Sequence, residues 1–292
     1  MTALKNLQEL TSPNQTLNQK VIFIGGAGHS GSTLLGLVLG SNTDAFYAGE
    51  ARKSIFIDNP KTPLRKRICK TCGASCAIWS HFSNQSGEDP YAKLSAITQK
   101  STIIDSTKNV EWIEENNNLV RQRHCQTYLI LLSRDGRAVT ASRKRKYPER
   151  PFEEQCREWV AQLERIEQLA TNFNGTVLQV SYEQLAQSPE NTSKDLCASL
   201  NLTFEAGMLD PWNSEQHPLG GNAGTQSLLH KSETQEHGSL PITGEKRKYY
   251  QSHPRDFVLD LRWKNELTPE DLNCFSSIAG EKNKNYCWDG AE

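Results

Sequence analysis

The sequence predicts an α/β fold with a central, mostly parallel sheet and helices on both faces. Two observations carry this prediction. Short apolar runs rich in β-branched residues alternate along the chain with longer helical patterns. In addition, a glycine-rich turn separates the first apolar run, Val21–Ile24, from an apolar segment of helical character. With 292 residues, the chain is long enough for one large domain of this class or two small ones.

The first predicted unit, residues 21–50, has the order strand, tight turn, helix. Glycines allow the turn to adopt positive φ angles and to approach a ligand closely. The helix that follows directs free N–H groups and the positive end of its dipole at the turn. This combination is typical of an anion site, most often one for phosphate.

The turn nearly matches a nucleotide-binding P-loop. Gly26 and Gly31 have the required spacing and Thr33 supplies the hydroxyl, but Ser32 occupies the position of the lysine. That lysine normally reaches the β- and γ-phosphates of a nucleotide. The motif therefore favours a phosphate or a group of similar shape over hydrolysis of a triphosphate.

Composition excludes several classes of function. The net charge is −1, so no overall field attracts nucleic acid or an anionic membrane. No run of 18 apolar residues is present, and the first 19 residues are polar and do not resemble a signal peptide. We expect a cytoplasmic protein, and we expect its eight cysteines to be thiols or ligands rather than a disulfide framework.

Residues 51–100 are polar and rich in loops. They contain three closely spaced cysteines followed by a tryptophan: Cys69, Cys72, Cys76 and Trp79. A zinc site would need a fourth ligand, for which His81 is the nearest candidate. We favour a small lobe that packs around the tryptophan, with partly buried thiols or one disulfide, and we therefore expect no metal.

The next predicted strand, residues 101–105, is followed closely by Lys108. Ligands of open α/β sheets lie beyond the carboxyl ends of the strands, so this lysine could approach a ligand on the first turn. Alternatively, Asp105 or Ser106 caps a helix over residues 109–118 and the lysine lies in solvent. The two interpretations are compatible.

Residues 126–133 form the clearest predicted core strand, and Arg134 follows directly. Arginine is suited to bidentate phosphate binding. Ser142 lies about two helical turns later, so the two groups meet only if the chain bends around a ligand. The basic cluster at residues 143–146 is either a solvated face or an added attraction for a polyanion.

The rest of the chain continues the alternation. We predict an amphipathic helix over residues 151–173 with a buried stripe, a strand over 176–182, helices over 182–186, 189–200 and 268–279, and a long loop over 201–256. Such a loop is typical of a lid or binding loop, although disorder is the alternative.

These motifs together resemble the sulfotransferases that use 3′-phosphoadenosine 5′-phosphosulfate (PAPS), especially those of bacteria and cyanobacteria. Residues 25–33 resemble the 5′-phosphosulfate loop, and residues 134–142 the 3′-phosphate motif. Residues 181–185 resemble the family's strand-end Tyr-Glu-Asp-Leu segment, and residues 217–222 a late Gly-Gly-Asn loop. The cysteine segment also recurs in that group. The likeness extends over about residues 20–285.

The resemblance implies the following roles. Binding of PAPS is assigned to Gly28, His29, Ser30, Gly31, Ser32, Thr33, Arg134, Ser142, Tyr182 and Asn222. Glu50, in a Gly-Glu pair, is the expected general base, and Lys108 is expected to neutralise charge on the transferring group. His29 stands where many relatives hold arginine or lysine, and we expect it to act at the 5′-phosphate. His81 and His124 match no base motif.

The resemblance therefore implies an enzyme that transfers a sulfuryl group from PAPS to a small-molecule acceptor, without a required metal, nucleic acid polymer or membrane. We expect an arm over residues 1–19 and a single domain over 20–292. A small metabolite of bacterial or algal specialised metabolism is the expected acceptor. Two alternatives remain: a small-molecule kinase or NTPase, and a non-enzymatic module that binds a nucleotide or metal.

Overall fold

The computed structural model describes residues 17–83, 88–229 and 255–289. Within these ranges the centre of the fold is a five-stranded sheet in the order β2-β3-β1-β4-β5, and all its strand pairs are parallel. The strands are β1 Lys20–Gly25, β2 Ala45–Gly49, β3 Thr102–Asp105, β4 Gln126–Ser133 and β5 Thr176–Ser181. The predicted fold class is confirmed.

Helices connect the strands and follow the last one. They are α1 Ser32–Gly40, α2 Pro90–Thr98, α3 Val110–Gln122, α4 Gly136–Lys146, α5 Phe152–Asn172, α6 Tyr182–Gln187, α7 Pro189–Ser199, α8 Ala223–Ser227, α9 Trp263–Glu266 and α10 Pro269–Asn283. Short 3₁₀ helices cover Ala51–Phe56, Leu64–Lys66, Trp79–His81 and Ala206–Leu209. No helix in this part of the chain is long and apolar enough to cross a membrane.

Helices cover both faces of the sheet. Alternate residues of β1 therefore pack in two different cores. Val21 and Phe23 pack in one core, and Ile22 and Ile24 pack in the other. The first core also holds the predicted stripe of α5, which is fully buried as expected: Trp159, Leu163, Ile166 and Leu169. The second core holds the apolar side chains of α1. A central strand buried on both faces gives the site at its end a rigid support.

The main difference from the sequence prediction is β2, a strand that was not expected. It is short and contains alanine and glycine, which have low β-propensity, so its sequence carries little strand signal. Tertiary contacts stabilise it instead. It pairs with β3 through Phe46 and Tyr47, and a Cβ atom on Gly36 of α1 would lie 2.3 Å from the Tyr47 ring. Glu50 consequently follows a strand and does not follow the first helix.

Smaller differences concern one additional helix and the ends of three others. The helix α2 was not predicted, although Asp89 caps it and a proline begins it. The expected capping of the next helix by Asp105 or Ser106 is wrong, because Asn109 caps α3 and its Oδ1 accepts from the Trp112 N–H at 2.9 Å. The helix α5 begins one residue later than predicted, because Pro151 is its N-cap residue. The last helix runs past the predicted end at residue 279, to residue 283.

Two sequence predictions fall partly outside the described residues. The expected N-terminal arm over 1–19 includes residues 1–16, and the expected lid over 201–256 includes residues 230–254 with the basic run 245–248. The described part of the latter contains only the short elements at Ala206–Leu209 and Ala223–Ser227.

Candidate functional site

The candidate site lies at the edge of the sheet where the strands end. The sheet is parallel, so all five carboxyl ends meet at this edge. The glycine-rich turn follows β1, Glu50 follows β2, Arg134 follows β4 and Tyr182 follows β5, while Lys108 lies three residues after β3. Candidates that are far apart in sequence are thus brought to one edge.

Positive φ angles shape the glycine-rich turn. Gly26 has φ 144° and Gly31 has φ 94°, conformations that favour glycine. A Cβ atom at these positions would lie 2.3 Å from the Leu132 carbonyl oxygen and 2.6 Å from the Tyr182 ring, respectively. No side chain caps α1 behind Gly31. The first N–H groups of that helix therefore have no side-chain acceptor, a feature typical of anion-binding helix ends.

Hydroxyl groups line the same turn. Ser30, Ser32 and Thr33 are buried, and the Thr33 Oγ1 atom accepts from the Asn222 N–H at 2.8 Å. The Ser30 hydroxyl has no hydrogen-bond partner among the described residues. A buried hydroxyl without a partner is costly, so a ligand oxygen at this point would stabilise it. The turn is suited to bind a phosphate-like group.

The late loop 217–222 packs against this turn and against β2. The Leu219 N–H donates to the Ala48 carbonyl oxygen at 2.9 Å. The side chain of Asn222 accepts from the N–H groups of Gly224 and Thr225 and so caps α8, while its backbone holds Thr33. Asn222 therefore contacts the anion turn with its backbone.

A second candidate anion site surrounds Arg134. Its Nη1 donates to the His29 carbonyl oxygen at 2.9 Å, and Nη2 pairs with Asp260 at 3.0 Å. The guanidinium carbon lies 4.2 Å from the centre of the Tyr182 ring. This side chain is thus held rigidly, and its buried Nε is a donor without a partner among the described residues.

His29 connects the two sites. Its carbonyl group accepts from Arg134, and its ring Nδ1 lies 2.9 Å from the Ser142 hydroxyl. Ser142 and Arg134 were expected to meet only through a bend around a ligand, but His29 joins them without one. Burial, and then the charges of Lys146 and Arg143, lower the pKa of His29 to about 3. The imidazole is therefore neutral at pH 7, and phosphates bound beside it would raise its pKa.

Positive charges surround Glu50. Its Oε2 lies 2.7 Å from the Lys53 ammonium group. Burial opposes the charged form, but Lys108, Lys53 and Lys70 outweigh burial and lower the pKa of Glu50 below its usual value. The carboxylate is therefore ionised at neutral pH. Burial lowers the pKa of Lys108, and Glu50 partly compensates for this effect.

Asp105 fixes the positions of Glu50 and Lys108 relative to each other. Its Oδ1 accepts from the N–H groups of Ala51 at 3.0 Å and Thr107 at 2.7 Å, which are the chain neighbours of those two residues. Its Oδ2 accepts from the side chains of Tyr91 and Trp112 at 2.8 and 3.0 Å. The buried carboxylate thus joins the ends of β2 and β3.

Several residues of the site carried no usable signal in the sequence. Asp260 contacts Arg134 from more than a hundred residues away, and Gln162 of α5 accepts from the Gly28 N–H at 2.9 Å. Lys53 lies three residues from Glu50, a spacing that permits an ion pair and could have been noticed. His81 ends a 3₁₀ helix and His124 follows α3.

Replacing Gly49 with alanine is expected to destabilise the protein. Gly49 has φ 78°, and a Cβ atom there would lie 2.6 Å from the Gly220 carbonyl oxygen. The left-handed conformation alone costs about 1–2 kcal/mol, and the backbone contact adds to it. A chemical denaturation curve measures the loss. Gly207→Ala is the control, because a Cβ atom there meets nothing within 4 Å. Equal stability of the two variants would contradict the described packing of β2.

Comparisons with known proteins agree with this architecture. The model of the sulfotransferase family matches residues 21–206. No curated protein sequence matches the chain. Among solved structures, the sulfotransferase domain of the Synechococcus PCC 7002 olefin synthase is 17% identical, with 92% of this chain and 98% of that chain covered and a TM-score of 0.51. The sulfotransferase domain from the curacin biosynthetic pathway is 18% identical, with 90% and 97% covered and a TM-score of 0.53.

The two structural likenesses show a shared fold. The family model spans well over half of the chain and includes the glycine-rich turn, Glu50, Lys108, Arg134 and Tyr182. The chain belongs to the sulfotransferase family.

Proposed function

We propose that this sulfotransferase moves the sulfuryl group of PAPS to a hydroxyl or amine of a small-molecule acceptor. The observation that carries the proposal is the pair of anion sites that His29 joins. PAPS carries a 5′-phosphosulfate and a separate 3′-phosphate, so it needs two such sites on one surface. A nucleoside triphosphate has no 3′-phosphate and would leave the Arg134 site empty.

The glycine-rich turn is the proposed site of the 5′-phosphosulfate. The first N–H groups of α1, with the hydroxyls of Ser30, Ser32 and Thr33, would surround the 5′-phosphate. The Gly28 N–H already donates to Gln162, so Gly28 would contribute the shape of the turn and not a donor. The Ser30 hydroxyl, which lacks a protein partner, supports this assignment. Negative charge grows on that phosphate as its bond to sulfur breaks. Fixed donors there stabilise the transition state more than the ground state.

Arg134 and Ser142 are the proposed ligands of the 3′-phosphate, with Tyr182 stacked on the guanidinium group. Asp260 and the His29 carbonyl hold that group, and its buried Nε has no partner among the described residues. A rigid guanidinium loses little side-chain entropy when it binds a phosphate.

Glu50 is the proposed general base. It accepts the acceptor's proton as the acceptor oxygen or nitrogen attacks sulfur, and the 3′,5′-bisphosphate leaves with the electrons of the broken S–O bond. The lowered pKa of this carboxylate keeps it deprotonated at neutral pH, the form that a general base needs. Lys108, close enough to Glu50 for each to shift the other's pKa, would neutralise charge on the transferring group.

The acceptor is proposed to lie between two segments of a single domain over residues 20–292. Lys53 and Lys70, from the segment 51–100, both affect the charge of Glu50. Gly220, from the segment 201–256, lies so close that a Cβ atom on it would be 2.9 Å from Glu50 Cβ. A small alcohol, phenol or amine of bacterial specialised metabolism is the acceptor class that we propose.

The His29→Arg variant is expected to keep its affinity for the 3′,5′-bisphosphate of adenosine, the product of PAPS. Arginine carries a permanent positive charge. Histidine becomes charged at this position only when bound phosphates raise its lowered pKa. Isothermal titration calorimetry at pH 7 measures the affinity. His29→Ala is the comparison and should bind more weakly, because alanine has no side-chain donor or charge to offer a phosphate. Loss of binding in the arginine variant would contradict the assignment.

Transfer of radiolabelled sulfate tests the proposal as a whole. The purified protein is incubated with labelled PAPS and a metabolite extract, and labelled products are identified by mass. We expect a sulfated small molecule whose formation needs both protein and extract. Release of label only as free sulfate, or no release, would contradict the proposed reaction.

A further inference from the structure

Three cysteines and one histidine converge outside the sites described so far. Cys69, Cys72, Cys76 and His217 place their ligand atoms within 4.8 Å of one another. The His217 Nδ1 atom lies 3.1 Å from the Cys72 sulfur and 3.6 Å from the Cys76 sulfur. In a tetrahedral zinc site, bond lengths of about 2.3 Å to sulfur and 2.0 Å to nitrogen place neighbouring ligand atoms roughly 3.5–3.8 Å apart. One ion can therefore bind all four atoms with only small shifts.

The backbone of the cysteine segment has a shape suited to metal binding. Gly73, with φ 71°, closes a tight turn in which its N–H donates to the Cys69 carbonyl at 3.2 Å. The N–H groups of Thr71 and Cys72 both point at the Cys69 sulfur from 3.4 Å. Donors directed at a sulfur atom stabilise the negative charge that it carries as a metal ligand.

The histidine is oriented as metal-binding histidines usually are. Its Nδ1 faces the thiols, and its Nε2 lies 3.0 Å from the Glu215 carboxylate. A carboxylate on the second ring nitrogen fixes the tautomer and raises the basicity of the ligating nitrogen. This hydrogen bond would hold the ring with Nδ1 directed at the sulfurs.

The sequence favoured thiols or one disulfide here, with His81 as the nearest candidate for a fourth ligand. All eight cysteines are free in the structure. The fourth residue at the cluster is His217, which lies more than 140 residues after the cysteines. A disulfide would use two of the sulfurs and leave the third facing His217, whereas a metal ion uses all four groups.

We propose that Cys69, Cys72, Cys76 and His217 bind a structural zinc ion. Thiolate and imidazole ligands in tetrahedral arrangement select zinc among the common divalent cations. Four protein ligands fill the coordination sphere, so the ion has no open position for a substrate. Cys69 and Cys76 are fully buried and Trp79 packs beside them, which is also typical of a structural site.

The proposed ion would fix the loop 217–222, and this consequence rests on the proposed function. The loop is joined to the cysteine segment by two hydrogen bonds, from Trp79 Nε1 to the His217 carbonyl at 2.6 Å and from the Lys70 N–H to the Pro218 carbonyl at 2.9 Å. Further along the loop, Gly220 packs against Glu50 and the Asn222 N–H donates to Thr33. Zinc would thus hold the proposed base and the anion turn in register.

Metal analysis of the purified protein tests the zinc site. We expect one zinc per chain after gel filtration in metal-free buffer, and a cobalt-substituted protein with the visible bands of tetrahedral cobalt and a sulfur-to-cobalt charge-transfer band. Cys76→Ser and His217→Ala should lose most of the metal. Cys197→Ser, which changes a buried cysteine outside the cluster, is the matched control and should keep it. Glu215→Ala removes an exposed carboxylate that contacts His217, and should weaken zinc binding about 10- to 100-fold.

A folded wild-type protein without zinc that also fails to bind added zinc or cobalt would overturn the inference, as would a disulfide between two of the three cysteines found by mass spectrometry. Titration with the 3′,5′-bisphosphate of adenosine separates this inference from the proposed function. Zinc without nucleotide binding would contradict the function and leave the metal site standing. Nucleotide binding in a chain that rejects zinc would do the reverse.

Discussion

Replacing Glu50 with glutamine is expected to lower turnover about 10²- to 10⁴-fold, the usual contribution of a positioned general base. Glutamine has the same shape but cannot accept the acceptor's proton. The affinity for the 3′,5′-bisphosphate of adenosine should stay the same, because Glu50 belongs to the end of β2 and not to the anion turn. The rate of single-turnover sulfuryl transfer from labelled PAPS measures the loss of catalysis. Calorimetry measures the affinity for the 3′,5′-bisphosphate.

Glu167→Gln is a matched control for this change. Glu167 is also a partly exposed carboxylate that pairs with a lysine, at 33% side-chain exposure against 27% for Glu50, but its partner Lys282 lies on α10. The control should turn over at the wild-type rate. An active Glu50→Gln variant would remove Glu50 from the role of base, and joint loss of turnover and nucleotide affinity would indicate a structural role.

Replacing Arg134 with methionine is expected to weaken the 3′,5′-bisphosphate about 10- to 100-fold. Hydrogen bonds to charged groups contribute about 1.5–3 kcal/mol, and methionine keeps much of the volume without the donors. Adenosine 5′-phosphate, which lacks the 3′-phosphate, should bind the variant and the wild type equally well. Calorimetric titration of both nucleotides into both proteins gives the comparison.

Arg157→Met is the control for this variant, because Arg157 is an exposed arginine that pairs with Glu153 within α5. It should leave both affinities unchanged. If Arg134→Met weakened the two nucleotides by the same factor, Arg134 would act by supporting His29 through its carbonyl group rather than by binding the 3′-phosphate. Thermal unfolding of the variant shows whether loss of the Tyr182 and Asp260 contacts affects stability.

The sequence predicted the parts of the fold that local pattern determines. The bounds of β4 at 126 and 133 agree with the prediction, because this apolar run ends in a clear break at Arg134. The order strand, glycine turn, helix also follows from local chemistry. The buried stripe of α5 has a regular helical spacing, and the structure buries all of it.

The sequence did not predict the parts that depend on distant contacts. β2 forms because β3 and α1 cover it, and its own residues have weak strand preference. This omission mattered for the site: without β2, Glu50 would follow the first helix and lie away from the edge where the anion turn lies. Asp260 and His217 reach their partners across more than a hundred residues, which no spacing rule in one sequence reveals.

His29 shows what the structure adds to a sequence prediction. The sequence predicts that it acts at the 5′-phosphate, where many relatives hold arginine or lysine. Burial lowers its pKa so that it is neutral at pH 7, and it is the residue that connects Arg134 to Ser142. Its charge is therefore expected to depend on the bound phosphates.

The two anion sites are proposed to bind together a donor that carries a 5′-phosphosulfate and a 3′-phosphate. The sharpest test is calorimetric titration of the wild-type protein with the 3′,5′-bisphosphate of adenosine and, separately, with ATP. We predict clear binding of the bisphosphate and much weaker binding of ATP, because ATP leaves Arg134 unpaired with a phosphate and Ser32 stands where the P-loop lysine would be. A preference for ATP would contradict the account and favour a kinase or NTPase.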